Sequence, residues 1–241
     1  MDKPPSVEEI KASLLQWGRK KEALESRREA LKELMESYEG FAKGARDILL
    51  AKRRGTLSGI CGVIAELVTV PEKYEISIET ILDSSAQHIV TETEDSARAA
   101  ISYLKARQLG RAAFLPLNRI KGKSISEDDK QKVSNTEGYI GLAIDLISFD
   151  PKYREVINHL IGNVIITDNL SSADNILKNV KQQYRVVTLE GDLINIGGAV
   201  IGGSLPLRSM RLLSRQRQIA ELDRQIIEVE RVISELKVQL L

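Results

Sequence analysis

Apolar positions recur at heptad spacing at both ends of the chain and in short runs between. Ile10, Leu14, Trp17, Lys21, Leu24, Arg28, Leu31, Met35, Tyr38, Ala42, Ala45 and Leu49 alternate at intervals of four and three. That spacing predicts one helix over residues 6–50, with a seam broken by charge at Lys21 and Arg28. Pro4-Pro5-Ser6 is a helix-start signal, and Glu8 and Glu9 favour the dipole of the first turn. Gly40 and Gly44 weaken the far end. Near the other terminus Leu212, Arg215, Ile219, Leu222, Ile226, Val229, Ile233, Leu236 and Leu240 keep the same spacing, and the seam is still running at Leu241 as in a longer coil.

A heptad helix needs a partner for its stripe. Each end could pair with another molecule, or the two ends with each other. The second arrangement is favoured, because closing the loop through a folded middle costs little extra entropy. The ends then form an antiparallel coiled coil.

The middle changes period. Gly62 to Val70 reads as a strand closed by Pro71; Tyr74 to Ser84 is helical; His88 to Thr91 is a short strand; Thr93 to Arg107 is an amphipathic helix; Arg111 to Leu115 is a strand. Tyr153 to Ile161 (helix), Val164 to Thr167 (strand), Ser171 to Lys181 (helix) and Tyr184 to Leu189 (strand) follow the same order. Ile89-Val90-Thr91 matches Ile165-Ile166-Thr167, Ala97 matches Ala173, Lys105 matches Lys181, Tyr74 matches Tyr153 and Ile78 matches Ile157. A helix-strand-helix-strand unit is thus present twice. The polar stretch Asn118 to Gly138 between the copies reads as a linker.

The second copy runs into Thr188-Leu189-Glu190-Gly191-Asp192-Leu193-Ile194-Asn195-Ile196-Gly197-Gly198-Ala199-Val200-Ile201-Gly202-Gly203-Ser204, which holds five of the chain's 16 glycines. Glycine weakens a strand. Two Gly-Gly pairs among β-branched residues therefore mark bends, bulges, or a place where another backbone comes close.

Composition removes more function classes than it adds. Aromatics are 4% and charged residues 29% of 241 residues, which suits solvated helices beside a modest core. The lone Cys61 excludes an internal disulfide, and His88 and His159 sit in unrelated contexts without ligand-spaced neighbours. No membrane-length apolar run or signal-peptide pattern is visible, so the expectation is a cytoplasmic protein with no membrane contact. Neither Gly-x-x-x-x-Gly-Lys-Ser/Thr nor Gly-x-Gly-x-x-Gly occurs, Ser204 lacks a Gly-x-Ser-x-Gly elbow, and Asp168 after an apolar strand is read as a residue near a helix start. No cofactor, metal site or catalytic residue is expected. The competing reading is a phosphate- or nucleotide-binding α/β enzyme that uses the glycine-rich loop.

The net charge of +1 hides an asymmetry. Lys43, Arg46, Lys52, Arg53 and Arg54 face only Asp47 across residues 43–54, and Arg208, Arg211, Arg215 and Arg217 face no acid across residues 208–217. With the ends antiparallel, these segments would meet at the base of the head as a phosphate-binding patch. Lys52, Arg53, Arg54, Arg208, Arg211, Arg215 and Arg217 are the candidate DNA-contacting residues.

This layout resembles the hinge of SMC proteins, the chromosome-organising ATPases. The resemblance covers residues 55–206 and rests on Gly59 to Val70, Ser85 to Thr91, Gly110 to Leu117 and, most specifically, Thr188 to Ser204. It implies an α/β (α+β) hinge head of two related subdomains, flanked by an intramolecular antiparallel coiled coil. The expected divisions are an arm over 6–54, subdomain I over 55–117, a linker over 118–138, subdomain II over 139–206 and a returning arm over 207–241. It further implies a homodimer with Gly191, Gly197, Gly198, Gly202 and Gly203 at the interface, and weak DNA contact, single-stranded DNA especially, near the hinge-coil junction. By the same resemblance the ATP-binding ends belong to a longer, nucleoid-associated parent active in chromosome condensation and segregation, whose accessory condensin-type subunits bind those ends.

Overall fold

The computed structural model describes residues 6–180, 183–203 and 212–240. Pro4, Pro5, Lys181, Ser204, Arg208, Arg211 and Leu241, on which expectations fell, lie outside the described residues. The chain divides into a helical unit, Met1–Glu39 with Arg215–Leu241, and a head, Gly40–Ser214.

In the helical unit, α1 (Val7–Glu36) opens with a capping box. Ser6 Oγ accepts from the Glu9 N–H, and the Glu9 carboxylate accepts from the Ser6 N–H. Against the expectation of one helix to residue 50, α1 stops at Glu36. Its end is a Schellman motif: the Glu39 N–H donates to Leu34 O and the Tyr38 N–H to Met35 O, with Tyr38 left-handed at φ +52°. A second helix, α2 (Lys43–Arg53), begins the head, so residues 40–54 belong there and not with the arm. Gly44 is needed inside it, since a Cβ there would stand 2.2 Å from the Arg111 carbonyl oxygen.

The head contains the duplication in full. Its first half runs β1 (Ile60–Val63), α3 (Ile64–Leu67), β2 (Val68–Thr69), α4 (Glu75–Leu82), β3 (Ile89–Thr91), α5 (Glu94–Arg107) and β4 (Phe114–Pro116). A helix α6 (Glu127–Ser134) follows, and the second half runs β5 (Tyr139–Leu142), β6 (Ser148–Phe149), α7 (Arg154–Ile161), β7 (Val164–Thr167), α8 (Leu170–Asn179) and β8 (Arg185–Thr188). Pairing repeats as well. β1 is antiparallel to β3 and β3 parallel to β4; β5 is antiparallel to β7 and β7 parallel to β8. Both opening strands have a register irregularity at their glycine, Gly62 or Gly141. β2 and β6 pair antiparallel as a ribbon joining the halves, with Thr69 opposite Ser148.

Two expectations are corrected. The expected strand Gly62 to Val70 is interrupted by α3, which carries the chain out of the first sheet and into the ribbon. The expected linker contains α6, anchored rather than loose: Ile125 and Val133 are buried, Ser126 Oγ caps the Asp129 N–H, and the Tyr184 hydroxyl donates to Asp129 at 2.8 Å.

After β8 come β9 (Leu193–Ile194) and β10 (Val200–Ile201), which extend the second sheet to the order β10-β9-β8-β7-β5, while the first stays at β1-β3-β4. Alternation along the longer sheet feeds two cores. Val164, Ile166, Val187 and Leu193 face a cluster with Tyr74, Ile78, Tyr153 and Ile157; Ile165, Val186 and Ile194 face α8 and α6 through Ala173, Ile176, Leu177 and Val133. A buried bond from Ser77 Oγ to Thr188 O, 2.9 Å, ties α4 of the first half to β8 of the second. The last helix, α9 (Ser214–Val238), returns to the helical unit.

Candidate functional site

The glycine string folds as two consecutive turns around β9. Thr188 closes the first: its carbonyl accepts from the Gly191 N–H (3.1 Å) and its Oγ1 from the Asp192 N–H (3.0 Å). The second is closed by the Gly198 N–H donating to Asn195 O (2.9 Å) and the Asn195 N–H to Ala199 O (2.8 Å). Gly197 and Gly198 have φ of +87° and +92°, and a Cβ on Gly197 would meet nothing within 4 Å, so backbone conformation rather than crowding requires glycine there. Gly202 differs, since its Cβ would fall 2.4 Å from Asp192 Oδ1. The N–H groups of Gly191 and Gly198 are consumed inside the turns, which leaves a poor cradle for a phosphate.

The hairpin presents apolar side chains outward. Ile196, Val200 and Ile201 are 56%, 61% and 55% exposed, and among the described residues β10 is an edge of its sheet. Among the described residues the first sheet ends on β4, with no counterpart of β9 and β10 beyond it. Ala113 O and the Leu117 N–H bond to β3, so by alternation the Phe114 backbone groups face away from it. Pro116, lacking a donor, suits an edge strand. Beside β4 lies a groove of about 230 Å³ lined by Ile101, Leu104, Lys105, Gly110, Arg111 and Phe114. The groove beside β4 thus carries Lys105 and Arg111, and Asp192 stands beside Gly202, just past β10. Sequence reasoning missed the β4 edge. The repeat held the signal, since only the second copy continues into a hairpin.

The basic candidates are distributed between the units. Lys52, Arg53 and Arg54 are exposed at the end of α2, where they also complement the helix dipole, and Lys52 Nζ donates to Cys61 O at 2.7 Å. Arg217 is half-buried in the helical unit. Arg215 is corrected: it is 5% exposed and its Nη1 donates to Glu39 O at 2.6 Å, because it occupies a seam position of the coil. The expected patch therefore loses Arg215.

Titratable groups elsewhere in the head are shifted by burial. The Cys61 thiol is pushed up chiefly by desolvation, which makes it a poor nucleophile, and burial also raises the Glu66 carboxyl. His88 is pushed down by burial first and then by His159, so the two histidines, expected in unrelated contexts, lie within electrostatic reach. Asp168 is held low mainly by the Ser172 hydroxyl and stands beside Asn169, the N-cap of α8. Among the described residues no three His, Cys, Asp or Glu side chains form a metal-binding group, and no helix is long and apolar enough to cross a membrane.

A duplicated α/β head inserted between the two helices of one antiparallel coiled coil has the architecture of an SMC hinge. The family model for the SMC proteins' flexible hinge domain matches residues 57–177. The chain belongs to this family. It is 41% identical over 197 residues to the chromosome partition protein Smc of Bacillus subtilis (strain 168), covering 82% of this chain and 16% of that protein. With the Smc of Methanocaldococcus jannaschii it shares 39% over 179 residues, covering 74% of this chain and 14% of that protein. The chain thus spans about a sixth of the length of such relatives. Among solved structures, an asymmetric dimer of the Geobacillus stearothermophilus SMC hinge domain superposes with a TM-score of 0.85 at 39% identity, covering 95% of this chain and 91% of that one. The Pyrococcus furiosus SMC hinge domain gives a TM-score of 0.57 at 31% identity, covering 80% and 91%.

Proposed function

We propose that this chain is the homodimerisation module of a chromosome partition protein, with no reaction of its own, and that it contacts DNA through basic residues at the end of α2. The carrying observation is the pair of unequal sheet edges. The β9–β10 hairpin extends one sheet and ends in exposed Val200 and Ile201, whereas β4 ends the other beside an apolar groove. A hairpin from one copy laid along β4 of another would add strands to an open edge, with the acidic Asp192 beside its end and Lys105 and Arg111 along the groove. A two-fold axis makes that contact twice and closes the pair. The dimer named for the Geobacillus stearothermophilus hinge supports this reading. Gly197, Gly198, Gly202 and Gly203 then serve the interface by shaping the hairpin and keeping its outer side low, with Gly191 setting the turn before it.

Lys52, Arg53 and Arg54 are the proposed DNA contacts within the head, and Arg217 belongs to the helical unit. The parent protein is proposed to be a nucleoid-associated ATPase whose accessory subunits act on regions outside this chain. Sedimentation at micromolar concentration is expected to give a dimer, and a stable monomer there overturns the dimer. DNA retention is expected to fall with salt. Arg53→Glu with Arg54→Glu should flatten that dependence by a slope of about 2, near the value for two lost phosphate contacts. An unchanged slope overturns the DNA assignment.

A further inference from the structure

Two ion pairs cross between α1 and α9: Lys21 Nζ to Glu230 Oε1 at 2.6 Å, and Arg28 Nη1 to Asp223 Oδ1 at 3.0 Å. One heptad up α1 corresponds to one heptad down α9, so both pairs belong to a single antiparallel register. That register sets Leu24 level with Ile226, and Leu31 with Ile219. Lys21 and Arg28 stand at seam positions where an apolar residue would pack better, and the Nε of Arg28 is buried without an acceptor among the described residues. Other ion pairs of α9, Arg224 with Glu221 and Arg231 with Glu228 and Glu235, stay within one helix and say nothing about its partner.

An apolar heptad stripe repeats every seven residues, so by itself it discriminates weakly between registers one heptad apart. The charges add the missing discrimination. Sliding one heptad one way keeps a pair, Arg28 with Glu230, but brings Lys21 to Lys237; sliding the other way keeps Lys21 with Asp223 but puts Arg28 beside Gln216 and Glu230 beside Leu14, so only the observed register satisfies all four. In a parallel pair of two α1 helices, Lys21 and Arg28 would meet their own copies. In a parallel pair of two α9 helices, Asp223 and Glu230, which flank the seam, would lose the cations that α1 supplies.

We propose that Lys21, Arg28, Asp223 and Glu230 are a pairing code that selects the chain's own returning helix, in one register, against a slipped coil and against the arm of a second copy. Charges at seam positions cost stability and confer partner choice, which accounts for the presence of Lys21 and Arg28 in an otherwise apolar stripe.

The test uses the 241-residue chain with Cys61→Ser. Leu24→Cys is combined in turn with Ile226→Cys, which is level with it, and with Ile219→Cys or Ile233→Cys, each one heptad away. Oxidation of the unaltered arm is expected to join 24 to 226. In the Lys21→Leu/Arg28→Leu background, the share of that product should fall about two- to fivefold, what the one partly exposed pair lost on slipping supplies, and slipped or between-chain products should appear although the apolar seam is improved. Lys21→Glu/Arg28→Glu should do the same, and adding Asp223→Arg/Glu230→Lys should restore the 24–226 product. If the leucine variant keeps only the 24–226 product, or if the four-residue exchange fails to restore it, the seam alone sets the register and the proposal is overturned. Should the reversed arm lose its helix, the leucine variant still decides.

Discussion

Replacing Val200 and Ile201 together by glutamate is expected to separate the dimer and leave the head folded. Both side chains stand outside the two core clusters and are 61% and 55% exposed, so the fold gains little from them. Burying a Val or Ile completely is worth about 1.5–3 kcal/mol, and a little over half of that remains for a partner to supply, about 1–1.5 kcal/mol per side chain. Two residues on each of two copies give about 4–6 kcal/mol, a weakening of roughly a thousandfold or more in Kd. Desolvating the new carboxylates pushes the same way. Within one head the substitution lies on the surface and should shift stability by no more than about 0.5 kcal/mol per site. Sedimentation velocity over a range of concentrations reads the dimer, and thermal unfolding of the same samples reads the head. Val200→Thr/Ile201→Thr keeps the strand preference and serves as the intermediate case. A Kd within about tenfold of the original would refute the placement of β10 at the interface, since lost burial alone accounts for more than that.

Gly44→Ala tests the α2 packing, where helix propensity and sterics oppose each other. Propensity favours alanine by about 1 kcal/mol, but the new Cβ would stand 2.2 Å from the backbone oxygen of Arg111. A net loss of about 1–3 kcal/mol is expected from overpacking in chemical unfolding, and a gain would contradict the packing. Ile165→Ala, at a side chain with no exposure, should cost about 2–5 kcal/mol and leave the helical unit's circular dichroism signal in place. His88 gives a pH prediction. Its folded pKa lies below the ordinary 6.5, so the unfolded chain takes up a proton that the folded chain refuses. The stability it confers is full above that value and is lost as pH falls, so cooling of the melting temperature from about pH 7.5 to about pH 5.5 should be smaller in His88→Gln than in the original. An identical pH dependence in the two would remove His88 from that role.

Local pattern carried a large part of this protein. The heptad stripes of α1 and α9 follow from side-chain spacing, because a helix that buries one face must repeat at that period. Val164–Thr167 was legible to the residue as a fully buried strand, and the match of Ile89-Val90-Thr91 to Ile165-Ile166-Thr167 disclosed the duplication, since two copies of one core need the same buried residues. The glycine string marked the candidate site by composition alone.

What stayed hidden depends on contacts distant in sequence. Tyr38 ends α1 in a left-handed turn although nothing about tyrosine announces one, and Gly44 belongs to α2 because Arg111 comes from the far side of the first half. α6 reads as a polar linker, because two buried residues, Ile125 and Val133, are too few to set a period. Arg215 reads both as a seam residue and as a DNA-contacting cation, and the coil decides for the first by giving it a carbonyl and burying it. Periodicity therefore determined the long helices, the buried strands such as Val164–Thr167, and that the halves repeat. Only the tertiary structure decided which strands are left as edges, because an edge is defined by the neighbour a strand lacks, and no single segment carries that information.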